Sequence, residues 1–447
     1  MGRNGDVLRL RVSENGRYLV DGNGEPFFWL GDTGSGLLNG PTLDETKMYF
    51  ENRRQKGFNA VQCVIARWGP MDAEHITDPG YPDDFHPSPD GELPWVNVDP
   101  TRPNPKYFEH VDRVLAMARE KGIVLAMTPA WGIFVGRGIL NEDNAEPYGR
   151  WLGERYADQP NIVWVLGGDI QGERSGPATR ALARGLKEGG DTHLMTYHPN
   201  KASSTCFHDD EWLDFNMIQS GHEIDRASYA WILADYDRTS VKPILDGEPR
   251  YEGITNQLKQ EGIRIDSHQV RKAAYNAVLS GALGHTYGAN SLFEFWRPGL
   301  HSPWRCLGEW KSALDFPGSF DMGRMKDLMT SRRWWELAPD QELVTNNTPD
   351  PHSHVQHVEG ATQNPGREYV PAARARDGSF AYVYVPEWKT VALDLTRMAG
   401  NRVRASWFNP RTAEQSAAGE FAKEEIRVTA PTGPEAPDYV LILEAME

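Results

Sequence analysis

In two short segments of the sequence, an apolar run is followed by glycine and then directly by a carboxylic acid. The segment WVLGGD ends at Asp169, and the segment KPILDGEP places Glu248 directly after Gly247. Cleavage of a glycosidic bond uses two carboxyl groups: one is protonated and donates to the leaving oxygen, and the other is ionised and attacks the anomeric carbon or activates water. Asp169 and Glu248 are therefore candidates for such a pair.

The second segment contains further acids, so Glu248 has competitors. Asp246 is expected to lie within the strand and to orient a neighbour, whereas Glu252 is expected to open the next helical segment, where an acid interacts favourably with the helix dipole. Acids at strand ends also pair with cations such as Arg250, so a structural role is the alternative for each of them. A catalytic pair requires that Asp169 and Glu248 face each other, which depends on the fold.

A repeated unit of strand, loop and helix determines where these acids lie. Its strands are continuous runs rich in Val, Ile and Leu, which is typical of a parallel sheet covered by helices. We predict eight of them, at 27–32, 59–66, 123–130, 161–168, 192–198, 215–221, 242–247 and 282–288. Eight such units indicate an α/β fold, the (β/α)8 TIM barrel. An open doubly wound sheet is the alternative, and the lack of a G-x-G-x-x-G motif after the first strand disfavours it.

The helices carry their own start signals. Thr42 and Glu45 form a capping-box pattern, Asn104 precedes a proline in the first helical position, and Asp266 precedes an amphipathic segment. These signals lie between predicted strands, as the barrel requires.

The same patterns divide the chain into two domains. Turn dipeptides at Asn15-Gly16 and Asn23-Gly24 predict an N-terminal β-hairpin, and residues 338–368 have the polar, Pro- and Asn-rich composition of a linker. From Tyr369 onwards the pattern consists of short strands only, which favours a small β-sandwich. We therefore predict a catalytic barrel at 1–345 and an accessory β-sandwich at 346–447 that does no chemistry.

The carboxyl ends of barrel strands meet at one mouth, so polar and aromatic residues there are candidates for binding substrate. Indole faces suit sugar rings, and imidazoles can form hydrogen bonds with sugar hydroxyls. The predicted substrate-binding residues are Asp32, Thr33, Gln62, Trp131, His198, His222, Tyr287 and Trp296.

A metal-dependent hydrolase is a second interpretation of the histidines. His198, His222 and His285 could converge with an aspartate, but the sequence contains no H-x-H or H-E-x-x-H spacing near them. We therefore expect neither a metal nor another cofactor.

Composition limits the possible partners and compartments. The chain has 447 residues and a formal net charge of −16 without a basic run, which argues against nucleic acid and anionic membranes as partners. No apolar segment reaches the roughly 18 residues of a membrane span. The three cysteines form no C-x-x-C pair, and the N-terminus has no apolar signal-peptide core, so a cytoplasmic protein is expected, although a trimmed secreted chain would look the same.

Five motifs together, WLGDTG, WVLGGD, TYHP, QSGH and DGEPRYEG, resemble those of the apiosidase-like glycoside hydrolases, family 140. The resemblance covers essentially the whole chain, including a small C-terminal β domain that carries a collagen-binding label in such proteins. It implies a (β/α)8 hydrolase that removes the pentose apiose from plant glycosides or pectin fragments. It also implies that Asp169 is the acid/base and Glu248 the nucleophile.

The leading hypothesis is therefore a retaining exo-glycosidase, a β-apiosidase, that hydrolyses a terminal pentofuranoside of a small glycoside or an oligosaccharide. The alternatives are a related furanosidase such as an arabinofuranosidase, a non-catalytic carbohydrate-binding protein, and an adhesin built around the C-terminal domain. A pure binding protein has no need of two acids, which favours the enzyme. The sequence predicts no oligomeric state.

Overall fold

The computed structural model describes residues 6–67, 86–259, 261–300, 302, 304–347, 369–431 and 438–447. Its N-terminal part is a three-stranded antiparallel sheet formed by β1 (Arg11–Val12), β2 (Leu19–Val20) and β3 (Pro26–Phe27). This sheet contains the predicted hairpin.

Eight parallel strands form the central sheet and confirm the predicted TIM-like barrel, since each overlaps a predicted strand. They are β4 (Trp29–Thr33), β5 (Ala60–Ala66), β6 (Val124–Ala130), β7 (Ile162–Ile170), β8 (Met195–Pro199), β9 (Asn216–Ile218), β10 (Ile244–Asp246) and β11 (Gly284–Tyr287). Their order in the sheet is β8-β7-β6-β5-β4-β11-β10-β9. The two outer strands, β8 and β9, are consecutive in the chain. Thr196 Oγ1 of β8 donates to the carbonyl of Phe215, the residue before β9 (2.7 Å), so the barrel is nearly closed.

Helices follow the barrel strands and cover the sheet. They are α1 (Leu43–Gln55), α2 (Pro105–Glu120), α3 (Ile133–Gly136), α4 (Glu142–Tyr156), α5 (Gly172–Glu188), α6 (Ser204–Phe207), α7 (Ser228–Tyr236), α8 (Ser267–Val278), α9 (Asn290–Phe293), α10 (Trp310–Ala313) and α11 (Pro317–Thr330). The predicted caps are confirmed: Thr42 and Glu45 form a capping box on α1, Asn104 caps α2, and Asp266 caps α8. None of these described helices combines the length and the apolar composition of a membrane span.

The barrel interior is filled near the amino ends of its strands. Inward side chains such as Trp29, Val124 and Phe215 pack there against Leu10 and Leu19 of the N-terminal sheet. The hairpin therefore closes the bottom of the barrel, and the carboxyl ends of the strands face the open end.

The C-terminal region forms antiparallel sheets. Its strands are β12 (Leu337–Pro339), β13 (Ala372–Ala375), β14 (Phe380–Val385), β15 (Thr390–Asp394), β16 (Arg402–Phe408), β17 (Gln415–Ala422), β18 (Glu425–Thr429) and β19 (Tyr439–Met446). Six of them form a sheet in the order β12-β13-β14-β19-β16-β17, and β15 pairs with β18. The two sheets share one apolar core. Strand β12 pairs with β13, so this sheet begins before position 346, within the segment predicted as a linker; residues 348–368 of that segment lie outside the described residues.

Buried polar and aromatic contacts join the C-terminal sheet to the barrel. Arg271 of α8 donates to Asp438 (2.6 Å from Nε) and to Asp321 of α11 (2.7 Å from Nη1). Beside this network the rings of Tyr275 and Tyr384 stack with centroids 4.6 Å apart. The contact lies on the helical surface of the barrel, at α8 and α11.

Candidate active site

A cavity of about 410 Å³ opens at the carboxyl ends of the barrel strands. It brings together the two predicted carboxylates, Asp169 at the end of β7 and Glu248 in the loop after β10. Its apolar and aromatic lining consists of Val64, Trp131, Trp231, Tyr251, Ile254, Leu258, Phe293 and Trp304. The rest of its lining is Ser35, Arg67, Asn200, Lys201, Gln219, Ser220, Gly221, His222, Arg226 and Glu294.

The end of β7 departs from regular strand geometry at Asp169. Pairing with β8 shifts register between Gly167 and Ile170, and Asp169 has a φ of +50°. Such a left-handed backbone is costly for a residue with a side chain, and it is found where the surrounding structure enforces it, often at functional sites. Gly168 (φ +120°) is required because a Cβ there would lie 2.5 Å from the indole of Trp131.

The loop that carries Glu248 is fixed by its backbone. Gly247 donates its N–H to the Ile218 carbonyl (2.8 Å), and its own carbonyl accepts from Gln62 Nε2 (2.6 Å). A Cβ on Gly247 would lie 2.6 Å from the Met217 sulfur, so the Met217 side chain of β9 would have to shift to accommodate one. Glu248 is therefore held at a defined position in the mouth.

Two histidines hold the Glu248 carboxylate. His198 Nε2 lies 3.0 Å from one of its oxygens and His222 Nε2 lies 3.2 Å from the other. Tyr251 donates its backbone N–H to His222 Nδ1 (3.4 Å), so Nε2 of that ring carries the proton and donates to Glu248. Burial alone would raise the pKa of Glu248, but the hydrogen bonds from His198 and His222 and the charge of His198 lower it below its usual range.

Asp169 lies in a different environment. Its Oδ1 accepts from Gln219 Nε2 (2.5 Å), and its side chain is 45% exposed to the cavity. Desolvation by the surrounding protein, and then the charge of Glu248, raise the pKa of Asp169 to about 6. The two carboxyls therefore differ in protonation over a wide pH range: Glu248 is ionised where Asp169 retains a proton.

The distance between the carboxyls is short. An oxygen of Asp169, an oxygen of Glu248 and a nitrogen of His198 all lie within 4.8 Å of one another. A sugar between the carboxyls can be attacked by one while the other donates a proton to the leaving oxygen, which is the chemistry of glycoside cleavage.

The same three residues are the group in the described part of the chain whose donor atoms could converge on a metal ion. His198 Nε2 is occupied by its hydrogen bond to Glu248, which leaves Nδ1, 4.0 Å from Asp169 Oδ1, as the ring nitrogen that could bind a metal. His285, part of the metal-site alternative, is fully buried in the barrel wall, and burial and then the charge of Arg250 lower its pKa to about 3.

Five predicted binding residues lie at the site. Trp131 and His222 line the main cavity. Thr33, Gln62 and His198 line a smaller pocket of about 20 Å³ that also contains Glu248 and continues into the barrel. The imidazole of His198 packs against the Trp131 ring with centroids 5.0 Å apart.

Three predicted binding residues lie elsewhere, which corrects the sequence-based expectation. Asp32 is completely buried outside the cavity and accepts from Tyr49 and Arg53, each at 2.7 Å. Tyr287 is also completely buried and donates its hydroxyl to Glu252 (2.7 Å). Trp296 does not line the cavity, and its indole N–H donates to the Leu300 carbonyl (3.0 Å).

The other two acids near Glu248, Asp246 and Glu252, form hydrogen bonds that stabilise the fold. Glu252 accepts from the Gly318 N–H (2.9 Å), so it caps α11 rather than a helix directly after the β10 loop. Asp246 lies in β10 as predicted and accepts from the Ser220 hydroxyl (2.7 Å). Arg250 donates to the carbonyls of Glu223 (2.8 Å) and Arg226 (2.8 Å), which anchors the loop that carries His222.

Several residues of the cavity are not among the predicted ones. Gln219 lies near the end of the sixth predicted strand and Tyr251 follows Glu248 by three positions, so their placement beside predicted residues was a usable signal. Trp231 lies in α7 and Trp304 in the long loop after β11, where sequence periodicity carries no information about the cavity.

Two family models match the chain. The model described as "Apiosidase-like, catalytic domain" matches residues 13–336, and the model described as "Putative collagen-binding domain of a collagenase" matches residues 338–444. The boundary between the two matches lies at the start of β12.

Two solved structures are similar to the chain over nearly its full length. One, described as a glycoside hydrolase, is 29% identical, with a TM-score of 0.82, and the match covers 99% of this chain and 97% of the other. The second, described as a glycoside hydrolase family 5 protein from Bacteroides vulgatus ATCC 8482, is 30% identical, with a TM-score of 0.82 and coverage of 99% and 94%. None of the curated proteins compared with the chain matches it.

Proposed function

Because this chain belongs to the apiosidase-like glycoside hydrolases, we propose that it is a retaining exo-glycosidase, a β-apiosidase that releases a terminal apiofuranose from plant glycosides or pectin fragments. The proposal assigns the nucleophile to Glu248 and the acid/base to Asp169. It treats the C-terminal sheets as an accessory domain without chemistry.

The observation that carries the retaining mechanism is the short distance between the carboxyls. Oxygens of Asp169 and Glu248 lie within 4.8 Å. Retaining enzymes place their carboxyls about 5–5.5 Å apart, whereas inverting enzymes need about 6.5–9.5 Å for an intervening water.

The reaction then has two steps. A Glu248 oxygen attacks the anomeric carbon, the bond to the leaving oxygen breaks, and the Asp169 proton passes to that oxygen. In the second step Asp169 removes a proton from water, the water oxygen attacks the same carbon, and the bond to Glu248 breaks. The raised pKa of Asp169, about 6, and the lowered pKa of Glu248 suit these starting protonation states.

The smaller pocket beside Glu248 supports removal of a terminal sugar. It extends from the cavity into the barrel and has a volume of about 20 Å³, which is room for a group the size of one water or hydroxyl. Below it lie interior side chains such as Val165. A sugar bound over Glu248 could therefore place a hydroxyl or hydroxymethyl group there, but could not continue as a chain in that direction.

Hydrolysis of p-nitrophenyl glycosides of β-D-apiofuranose, α-L-arabinofuranose and β-D-xylopyranose tests the proposal. We expect release of p-nitrophenol from the apiofuranoside, and none by the Glu248→Gln variant. Faster hydrolysis of the arabinofuranoside would make the protein an arabinofuranosidase. Quenching of tryptophan fluorescence by the free sugars without hydrolysis of any glycoside would indicate a binding protein.

The stereochemistry is tested separately. We expect NMR of the first-formed sugar to show the anomeric configuration of the substrate. An inverted product would contradict the assignment of Glu248 as a nucleophile.

A further inference from the structure

The small pocket beside Glu248, of about 20 Å³, is lined by polar side chains from three strands of the barrel. Thr33 of β4, Gln62 of β5 and His198 of β8 are 3%, 8% and 4% exposed, so all three are more than nine-tenths buried. Thr33 and Gln62 are partners in the parallel register of β4 and β5, which places their side chains on the same face of the sheet. The pocket is therefore a polar site inside an otherwise apolar barrel.

Each of these three residues has a polar atom without a hydrogen-bond partner in the described part of the chain. The atoms are Thr33 Oγ1, Gln62 Oε1 and His198 Nδ1. Buried polar atoms in folded proteins are nearly always paired, because an unpaired one costs about 1–3 kcal/mol. Three such atoms around one small space indicate that a polar group enters it.

The hydrogen bonds that these residues already form determine what the pocket still offers. Gln62 Nε2 donates to the Gly247 carbonyl (2.6 Å), which fixes the amide and leaves Oε1 as an acceptor. The Thr33 hydroxyl has a proton to donate. His198 uses Nε2 for its hydrogen bond with Glu248 (3.0 Å), so Nδ1 is the ring atom left for a ligand.

A hydroxyl group is complementary to this arrangement. It has one proton, which it can donate to Gln62 Oε1, and two lone pairs, which can accept from the Thr33 hydroxyl and from an imidazolium at His198. An ether oxygen has no proton for Gln62, and a methyl group satisfies none of the three atoms. The volume is enough for one group the size of a water molecule.

We infer that Thr33 and Gln62 are specificity-determining residues, and that they bind one hydroxyl group of the sugar held over Glu248. This inference rests on the proposed function, since it needs a sugar at that position. It limits the substrates to sugars with a hydroxyl group that can reach the pocket, and it excludes the analogue that lacks this group.

The test uses the pentofuranose that the wild type cleaves fastest as a p-nitrophenyl glycoside, together with its monodeoxy analogues, each without one hydroxyl group. The measured quantity is the ratio of kcat/KM for the parent glycoside to that for each analogue. Thr33→Val removes the hydroxyl with little change of shape, and Thr33→Ser keeps it. Thr46→Val is the matched control, because Thr46 is buried in α1, lines neither cavity, and has a hydroxyl that also lacks a partner among the described residues.

We expect the wild type to cleave one analogue at least about a hundredfold more slowly than the parent, because a site built to bind a hydroxyl rejects a ligand without it. In Thr33→Val this ratio should fall at least about tenfold, the contribution of one hydrogen bond. Thr33→Ser and Thr46→Val should keep the wild-type ratio. The intrinsic reactivity of an analogue is the same for every variant and cancels in this comparison. If a lowered Tm shows that Thr33→Val is not folded, Thr33→Ala takes its place.

A wild type that cleaves no analogue at least about a hundredfold more slowly would mean that the pocket holds only a water molecule, which would overturn this inference and leave the proposed function intact. The same ratio in a folded Thr33→Val as in the wild type would also overturn it, since the hydroxyl would then be recognised elsewhere. A wild type that cleaves no pentofuranoside would overturn the proposed function, and this inference with it.

Discussion

The imidazole of His198 lies 3.0 Å from the carboxylate of Glu248, with Nε2 directed at Oε2. Both side chains are largely buried, at 5% and 12% exposure. Burial lowers the pKa of His198, but the hydrogen bond to Glu248 and its charge outweigh this effect and raise it. Each group therefore stabilises the charged form of the other, which keeps Glu248 ionised beside an acid that is protonated.

Glu248→Gln should lower kcat by at least about a thousandfold, because the covalent step loses its nucleophile. Added azide should restore turnover of an activated aryl glycoside and give a glycosyl azide of inverted configuration, which NMR identifies. Glu252→Gln is the control. It should keep the activity and lower Tm, since Glu252 caps α11 and accepts from Tyr287. An active Glu248→Gln and an inactive Glu252→Gln would reverse the assignment.

Asp169→Asn should slow substrates with poor leaving groups far more than p-nitrophenyl glycosides, because a good leaving group departs without a proton. The measurement is a series of aryl glycosides whose phenols differ in pKa. A steeper dependence of kcat/KM on that pKa in the variant than in the wild type supports the role of general acid. The same dependence in both would contradict it.

The pH profile should report the Asp169 proton. The pKa of this carboxyl is raised to about 6, and only its protonated form can donate, so kcat/KM should fall by about tenfold per unit as pH rises beyond that value. Asp169→Asn should abolish this basic limb. Asp246→Asn is the control, because burial also raises the pKa of Asp246 to about 6 although this residue lies outside the cavity. If the basic limb of the pH profile persists in Asp169→Asn, the group that titrates there is not Asp169.

His222→Ala should move the acidic limb of the profile upwards. The hydrogen bond from His222 (3.2 Å) is one of the interactions that lower the pKa of Glu248, and without it more of this carboxylate is protonated at low pH. The expected result is loss of kcat/KM at acidic pH that is recovered near neutrality. A uniform loss at every pH would instead indicate that His222 only positions the loop.

Arg271→Ala should destabilise the protein without changing its pH profile. The variant removes the shared partner of the buried Asp438 and Asp321. Asp438 keeps its pair with Arg411 and Asp321 keeps its pair with Arg324, so the loss should lie above that of an exposed pair and below the about 3–5 kcal/mol of an uncompensated buried charge. Arg333→Ala is the control: its ion pair with Asp377 is exposed at 55% and 50%, and such pairs contribute about 0–1 kcal/mol. Chemical denaturation measures both. A shifted pH profile in a folded Arg271→Ala would mean that the C-terminal domain influences the active site.

Local patterns were sufficient to predict the barrel and to bring two distant acids together. Apolar runs followed by polar loops and capped helices specify parallel strands, and the carboxyl ends of such strands meet at one end of a barrel. This rule applies to Asp169 and Glu248 without further information, because each follows its strand directly. The roles of His198 and His222 as donors to Glu248 required distances between strands, which no sequence spacing contains.

The sequence by itself determined the strand that carries each candidate residue, and the tertiary structure decided the direction of its side chain. Asp32 and Tyr287 lie near the carboxyl ends of neighbouring strands and are paired in register, yet both are buried outside the cavity, whereas Thr33 reaches the pocket beside Glu248. In a half-exposed strand, alternation of polar and apolar residues would have shown this difference. Strand β4 is buried along its whole length, since helices cover one face and the barrel interior fills the other, so its sequence has no alternation from which the inward side could be predicted.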